Sequence, residues 1–141
     1  VLKAIDPLLS AELLGHLAAM GHGDALALVD RNFPAASTAQ RLVVLPGVDV
    51  ATAARAVLTL FPVDTFEEPA VLRMGAVGDE DTVLPVHADL QAEVDAAEGR
   101  PVPSAGVARF AFYERARAAY LTVATTEDRP YGCFLLTKGV V

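Results

Sequence analysis

The stretch "MGHGDALALVDRNFP", residues 20–34, decides how this chain folds. "ALALV" (25–29) is a short continuous apolar run bounded by polar residues, so it reads as a buried strand. Asp30 stands at the strand's C-terminal end, and the Asn, Pro and Ser of "RNFPAAST" (31–38) mark a loop. Upstream, Ser10 is placed to cap a helix from Ala11 to about Met20. Glu12 suits its positive end, Leu13, Leu14, Leu17 and Met20 form one apolar stripe, and Gly21 stops it. Between helix and strand lies His22, with glycine on both sides. A core histidine wants a packed seat, which glycines do not supply; a histidine that meets a ligand wants close backbone approach, which they permit.

The same alternation continues outward. "RLVVL" (41–45) reads as a second strand, and Asp49 as the cap of a helix from Val50 to about Phe61, with Pro62 beyond its end. "AVLRMGAV" (70–77) reads as a third strand. Val86, Leu90, Val94 and Ala97 give residues 85–98 a helical period that Gly99 closes, and "GRPVPSAG" (99–106) reads as a proline-containing loop. "FAFYERARAA" (110–119) predicts a helix, "YLTVATT" (120–126) a strand, and "CFLLTKGVV" (133–141) a last strand. Strands alternating with helices predict an α/β fold, a single domain over 1–141, with helices packed on a mixed, largely parallel sheet. The short turn between the last two strands predicts a hairpin as its antiparallel component.

Composition removes several classes of function. The 141 residues carry a net charge of −7 and no basic cluster, so the counterion release that drives nucleic-acid binding is not available. No apolar run approaches the roughly 18 residues of a membrane span, and "VLKAIDPLLS" is not a secretory signal. The single cysteine, Cys133, fits a reducing cytoplasm. Three scattered histidines at no ligand spacing argue against a metal site. Hydrophobic residues reach 53%, more than a small core needs, which predicts a homo-oligomer. "GHGD" follows a helix and precedes a strand, the reverse of a phosphate-binding loop, so no dinucleotide or P-loop site is expected.

What remains is a polar set at element ends: His22, Asp24, Asp30, Arg109 and Tyr131. Each has an ordinary reading. Asp24 closes a turn, Asp30 is a turn residue, Arg109 is a surface charge and Tyr131 is a half-buried ring. Against these, a carboxylate at the C-terminal end of an α/β strand lies where ligands bind, and a cation at a helix start opposes the helix dipole. His16 and His87 read as solvated or packed.

The order of segments resembles the L-fucose mutarotase and D-ribose pyranase family. "SAELLGHLAAMGHGD" is similar to its opening helix and Gly-His-x-Asp turn, and "VDRNFP" to its strand-end Asp and proline loop. "RFAFYERA" (109–116) and "YGCFLLTKGV" (131–140) resemble the fucose branch. The resemblance implies that His22 is the proton donor, that Asp30, Arg109 and Tyr131 hold a free monosaccharide, and that Asp24 supports them. It also implies contacts at Gly132 and Cys133, where the family pattern ends in Asn; a thiol replaces that amide here, and Gly132 leaves the backbone open to a ligand. The implied reaction opens and recloses a sugar ring by acid–base catalysis, with no cofactor and no metal, on L-fucose or alternatively D-ribose. A non-catalytic sugar-binding oligomer is the reading from a different class. The implied assembly is a ring-shaped homo-oligomer, up to a decamer.

One length sets a condition. A straight strand over residues 24–30 separates its ends by about 20 Å at roughly 3.3 Å per residue, more than one monosaccharide spans. Either the strand is broken or His22 and Asp30 of one site come from neighbouring subunits; the ring-shaped assembly that the resemblance implies, and the apolar surface to spare, favour the second.

Overall fold

In the computed structural model, which describes residues 1–141, Ser10 Oγ accepts the Leu13 N–H at 3.2 Å and opens α1 (Ala11–Ala19). At its far end Lys138 Nζ donates to the carbonyls of Leu17 and Met20, groups that a helix terminus leaves unpaired. There follow β1 (Ala25–Val29), α2 (Ala35–Thr38), β2 (Leu42–Leu45), α3 (Val50–Leu58), β3 (Val71–Met74) and α4 (Pro85–Glu98). The chain ends with β4 (Ser104–Val107), α5 (Arg109–Ala118), β5 (Leu121–Thr125) and β6 (Phe134–Thr137).

The six strands form one sheet in the order β2-β5-β1-β6-β3-β4. The pairs β1–β5, β2–β5 and β3–β4 are parallel, whereas β6 runs antiparallel to both β1 and β3. Five strands thus point one way and β6 alone the other. Alternate side chains serve opposite faces, as the pleat requires. Leu26, Leu28, Val123 and Leu136 pack in the core that includes Leu13 and Leu17 of α1, Val50 and Val57 of α3, and Leu90 of α4. Ala27, Val29 and Leu135 pack on the other face with Phe112 and Ala116 of α5. Both sides of β1 are buried, which explains the unbroken apolar run. The expected α/β architecture and mixed, largely parallel sheet are present.

Three details differ from the sequence reading. The last two strands are not a hairpin: both edges of β5 are occupied, by β2 and β1, so residues 126–133 must cross over the end of β1 to reach its far side. The loop expected at 31–38 ends in the short α2. The loop expected at 99–106 contains most of β4, whose small residues and flanking prolines hide its strand character. Gly106 is required there, because a Cβ would collide with the Glu80 carbonyl. No helix is long and apolar enough to cross a membrane.

Candidate functional site

Because β1, β3 and β4 are parallel and β6 opposes them, the C-terminal ends of the first three and the start of β6 meet at one end of the sheet. β1 lies between a parallel and an antiparallel neighbour there, and the space outside the carboxyl ends of its strands is where an α/β sheet receives ligands. A cavity of about 200 Å³ occupies it, lined by Asp30, Met74, Arg109, Tyr113, Tyr131 and Cys133 among others. It falls below the roughly 300 Å³ at which drug-sized pockets begin, so it suits a small molecule. A hollow of about 300 Å³ between α4 and the β3–β4 edge is larger. Size does not decide between them; only the smaller cavity gathers the polar residues singled out in the sequence.

Asp30 is buried, and its Oδ1 accepts the N–H groups of Asn32 and Phe33, each at 3.0 Å. Both bonds fall on one oxygen, so the carboxylate is fixed in place while Oδ2 is not used by either. Arg109 is the first residue of α5, and its exposed Nε donates to Tyr113 Oη at 2.9 Å. The guanidinium carbon lies 5.4 Å from the Tyr113 ring centre and 5.5 Å from that of Phe110. The hydrogen bond to Tyr113 raises the Arg109 pKa from its ordinary value. Tyr113 also meets Phe33 edge-on at 5.5 Å, giving the cavity an aromatic wall.

The crossover of residues 126–133 delivers the remaining groups. Arg31 N–H donates to the Glu127 carbonyl at 3.1 Å, which ties the crossover to the chain just beyond Asp30. Tyr131 adopts a left-handed conformation (φ 63°), and its hydroxyl accepts the Val77 N–H at 3.5 Å. Cys133 is buried beside Asp30. Burial, and then the neighbouring Asp30 charge, push its thiol well above the ordinary range. It is therefore a protonated thiol rather than a nucleophile.

His22 and Asp24 lie at the opposite end of the sheet, before β1. Asp24 takes its ordinary role: Oδ2 accepts the Gly21 N–H at 2.7 Å and closes the turn, while Gly23 supplies a φ of 88°. His22 Nε2 lies 3.1 Å from Oδ1 of Asp64, and Phe66 meets the imidazole edge-on at 4.9 Å. The Asp64 side chain is only 3% exposed against 39% for His22, so a buried carboxylate backs an accessible imidazole. Its pKa is lowered first by the Phe66 N–H and also by the hydrogen bond to His22. The fold thus brings Asp30, Arg109, Tyr131 and Cys133 together, with Gly132 between the last two, and holds His22 apart from them. Asp64 and Tyr113 were not singled out in the sequence. Tyr113 was within reach, four residues after Arg109 on one helix face; Asp64 lies 42 residues from His22 with no motif to mark it.

Fold and site together define an α/β protein with a small polar-lined cavity at its strand ends. The chain belongs to the RbsD / FucU transport protein family, whose model matches residues 3–141. It is 39% identical to the L-fucose mutarotase of Glaesserella parasuis over 99% of this chain and 96% of the relative. The fucose mutarotase of Danio rerio is also 39% identical, over 100% of this chain and 95% of that protein. Among solved structures, the fucose mutarotase of Streptococcus pneumoniae in complex with L-fucose superposes with a TM-score of 0.87. It shares 32% identity, with 99% of each chain covered.

Proposed function

We propose that this protein interconverts the α and β anomers of L-fucose by acid–base ring opening and reclosure. The observation that carries the proposal is the strand-end cavity, where a fixed carboxylate, a guanidinium and a phenol converge, in a chain similar over nearly its whole length to L-fucose mutarotases. Mutarotation requires that the ring oxygen gain a proton as the anomeric hydroxyl loses one. The open aldehyde then turns about one bond and recloses on its other face.

His22 is the proton donor in this reading. With Nε2 directed at Asp64, its Nδ1 is the nitrogen left to face substrate, and the buried carboxylate fixes the orientation of the ring. Asp30 accepts a sugar hydroxyl through Oδ2, the Arg109 fork fixes further hydroxyls, and Tyr131 contributes its hydroxyl and ring. Gly132 and Cys133 offer backbone groups. General acid–base catalysis contributes about 10²–10⁴-fold, enough for a reaction that already proceeds in water.

The separation of His22 from the cavity implies that a neighbouring subunit supplies the donor, so the active form is a closed homo-oligomer. Exposed Phe66 beside His22, and exposed Val77 and Phe110 beside the cavity, are the apolar surfaces such a contact would cover. Saturation-transfer NMR on L-fucose tests the activity. Enzyme-dependent exchange between the anomers of L-fucose is expected; exchange of D-ribose alone favours the pyranase reaction, and binding without exchange of either sugar makes the protein a carrier.

A further inference from the structure

Outside the cavity, α4 and the hollow beneath it hold a histidine that the reaction does not use. His87 is 2% exposed, and both of its ring nitrogens are engaged. Nδ1 accepts the Leu84 N–H at 3.1 Å, so Nε2 carries the proton and donates it to the Tyr131 carbonyl at 3.0 Å. Burial lowers the His87 pKa, and the charge of buried Arg73 adds to that effect. Neutral imidazole is the form this arrangement requires, because an imidazolium could not accept from Leu84.

We infer that His87 is a positioning residue for the sugar site: its Nε2–H fixes the left-handed Tyr131 peptide and so aims the Tyr131 side chain into the cavity. The assignment rests on the sugar-site reading above. Tyr131 is a non-glycine residue at φ 63°, a conformation that costs energy unless its surroundings impose it. The surroundings are visible. His87 holds the Tyr131 carbonyl from behind, and Val86 packs on Gly132 so closely that a Cβ there would lie 3.2 Å from Val86 Cγ2 and 2.9 Å from Glu127 Cγ. Phe134 meets the His87 ring edge-on at 5.8 Å. On the cavity side, the Tyr131 hydroxyl has a single long contact, to Val77 N–H, so the backbone rather than the hydroxyl sets where the ring points.

The bland alternative is that His87 merely closes the first turn of α4, where Leu84 has no side-chain cap of its own. Two substitutions separate the roles, because each preserves one ring nitrogen. In H87Q the amide nitrogen replaces Nε2 and can still donate to Tyr131; in H87N the amide oxygen replaces Nδ1 and can still accept from Leu84. The positioning role predicts that H87N raises KM for L-fucose by about tenfold, with H87Q within about threefold of wild type, whichever of the two melts lower. A readout independent of catalysis accompanies it. The Gly132 amide shares a peptide with the Tyr131 carbonyl, so its ¹⁵N–¹H resonance should move in H87N and stay near its wild-type position in H87Q. If the protein proves inactive on fucose, that resonance still decides whether His87 holds Tyr131. Equal shifts in both variants, or a wild-type KM in H87N, would overturn the inference.

Discussion

Cys133 is the residue at which this chain departs from the family pattern it otherwise resembles, and its surroundings say what the departure costs. The thiol is buried against Asp30 and held protonated, so it can neither attack a sugar nor match the two-way hydrogen bonding of an amide. Losing one uncharged hydrogen bond costs about 0.5–1.5 kcal/mol. Cys133→Asn is therefore expected to change kcat/KM for L-fucose by at most about tenfold, measured by anomer exchange at several sugar concentrations. Loss of all exchange in folded Cys133→Ala would instead make the thiol essential. His22→Ala should abolish enzyme-dependent exchange without unfolding the protein, because the imidazole is partly exposed and its loss opens no core cavity. Wild-type exchange in that variant would remove His22 as the donor. Asp64→Asn keeps the side chain's shape but withdraws the charge behind His22, and exchange is expected to slow by at least about tenfold. These residues were not equally legible. His22 stood out because its glycines are unusual neighbours, although Gly23 turns out to serve the turn's φ. Asp64 was hidden because its partnership with His22 exists only once the end of β6 lies between the two segments, the Thr137 carbonyl accepting the Asp64 N–H and the Lys138 carbonyl the Gly23 N–H.

At the scale of elements, the crossover between β5 and β6 matters most, and it was the least legible. Its eight residues, 126–133, have the length of a hairpin loop, and nothing local records that β1 will occupy the space between the two strands. Helix and strand periods are local signals; strand order is set by which edges remain free after packing. The strands and helices that the periods marked out are present, whereas β4 was missed because Ser104, Ala105 and Gly106 are small and only Val107 favours a strand. The crossover is braced by buried Glu127, whose Oε1 accepts from Arg129 Nε at 2.9 Å while Oε2 accepts from Val50 N at 3.3 Å. Arg129 also reaches Asp89 on α4 at 2.7 Å. Burial works against ionising Glu127, yet the Arg129 and backbone donors outweigh it and hold its pKa below the ordinary 4.5. A depressed carboxylate stabilises the fold above its unfolded pKa, and that contribution is lost as pH falls through the lower, folded value. Wild-type Tm should accordingly fall as pH is taken from about 5 toward 3. In Arg129→Met, burial acts on Glu127 with fewer opposing donors, so the fold should gain less from raising the pH across that window. Identical Tm profiles in the two proteins would show that the pair does not brace the crossover.

Across the whole molecule, the placement of His22 and Asp30 at opposite ends of β1 constrains how a site can be assembled. The strand is regular from Ala25 to Val29 and hydrogen-bonded on both sides, so it cannot bend to bring its ends together. This consequence was legible in the sequence, because it needs only the rise per residue and the apolar run between the two side chains. The identity of the contacting surfaces was not, since exposure of Phe66, Val77 and Phe110 follows from tertiary packing. If neighbouring subunits complete each site, His22→Ala and Asp30→Ala damage different halves of the same interface. A mixed oligomer then contains some junctions where an intact His22 meets an intact Asp30, and others where both are lost. Each variant alone should be inactive, while mixing them under conditions of subunit exchange should restore part of the wild-type anomer exchange. With random closed-ring assembly from equal amounts, about one junction in four is intact, so recovery should approach a quarter of the wild-type rate. Native mass spectrometry of isotopically distinguished subunits would establish that exchange had taken place. A mixture that remains inactive after proven exchange would place each whole site within one subunit, and a monomeric wild type by sedimentation would exclude the shared site directly.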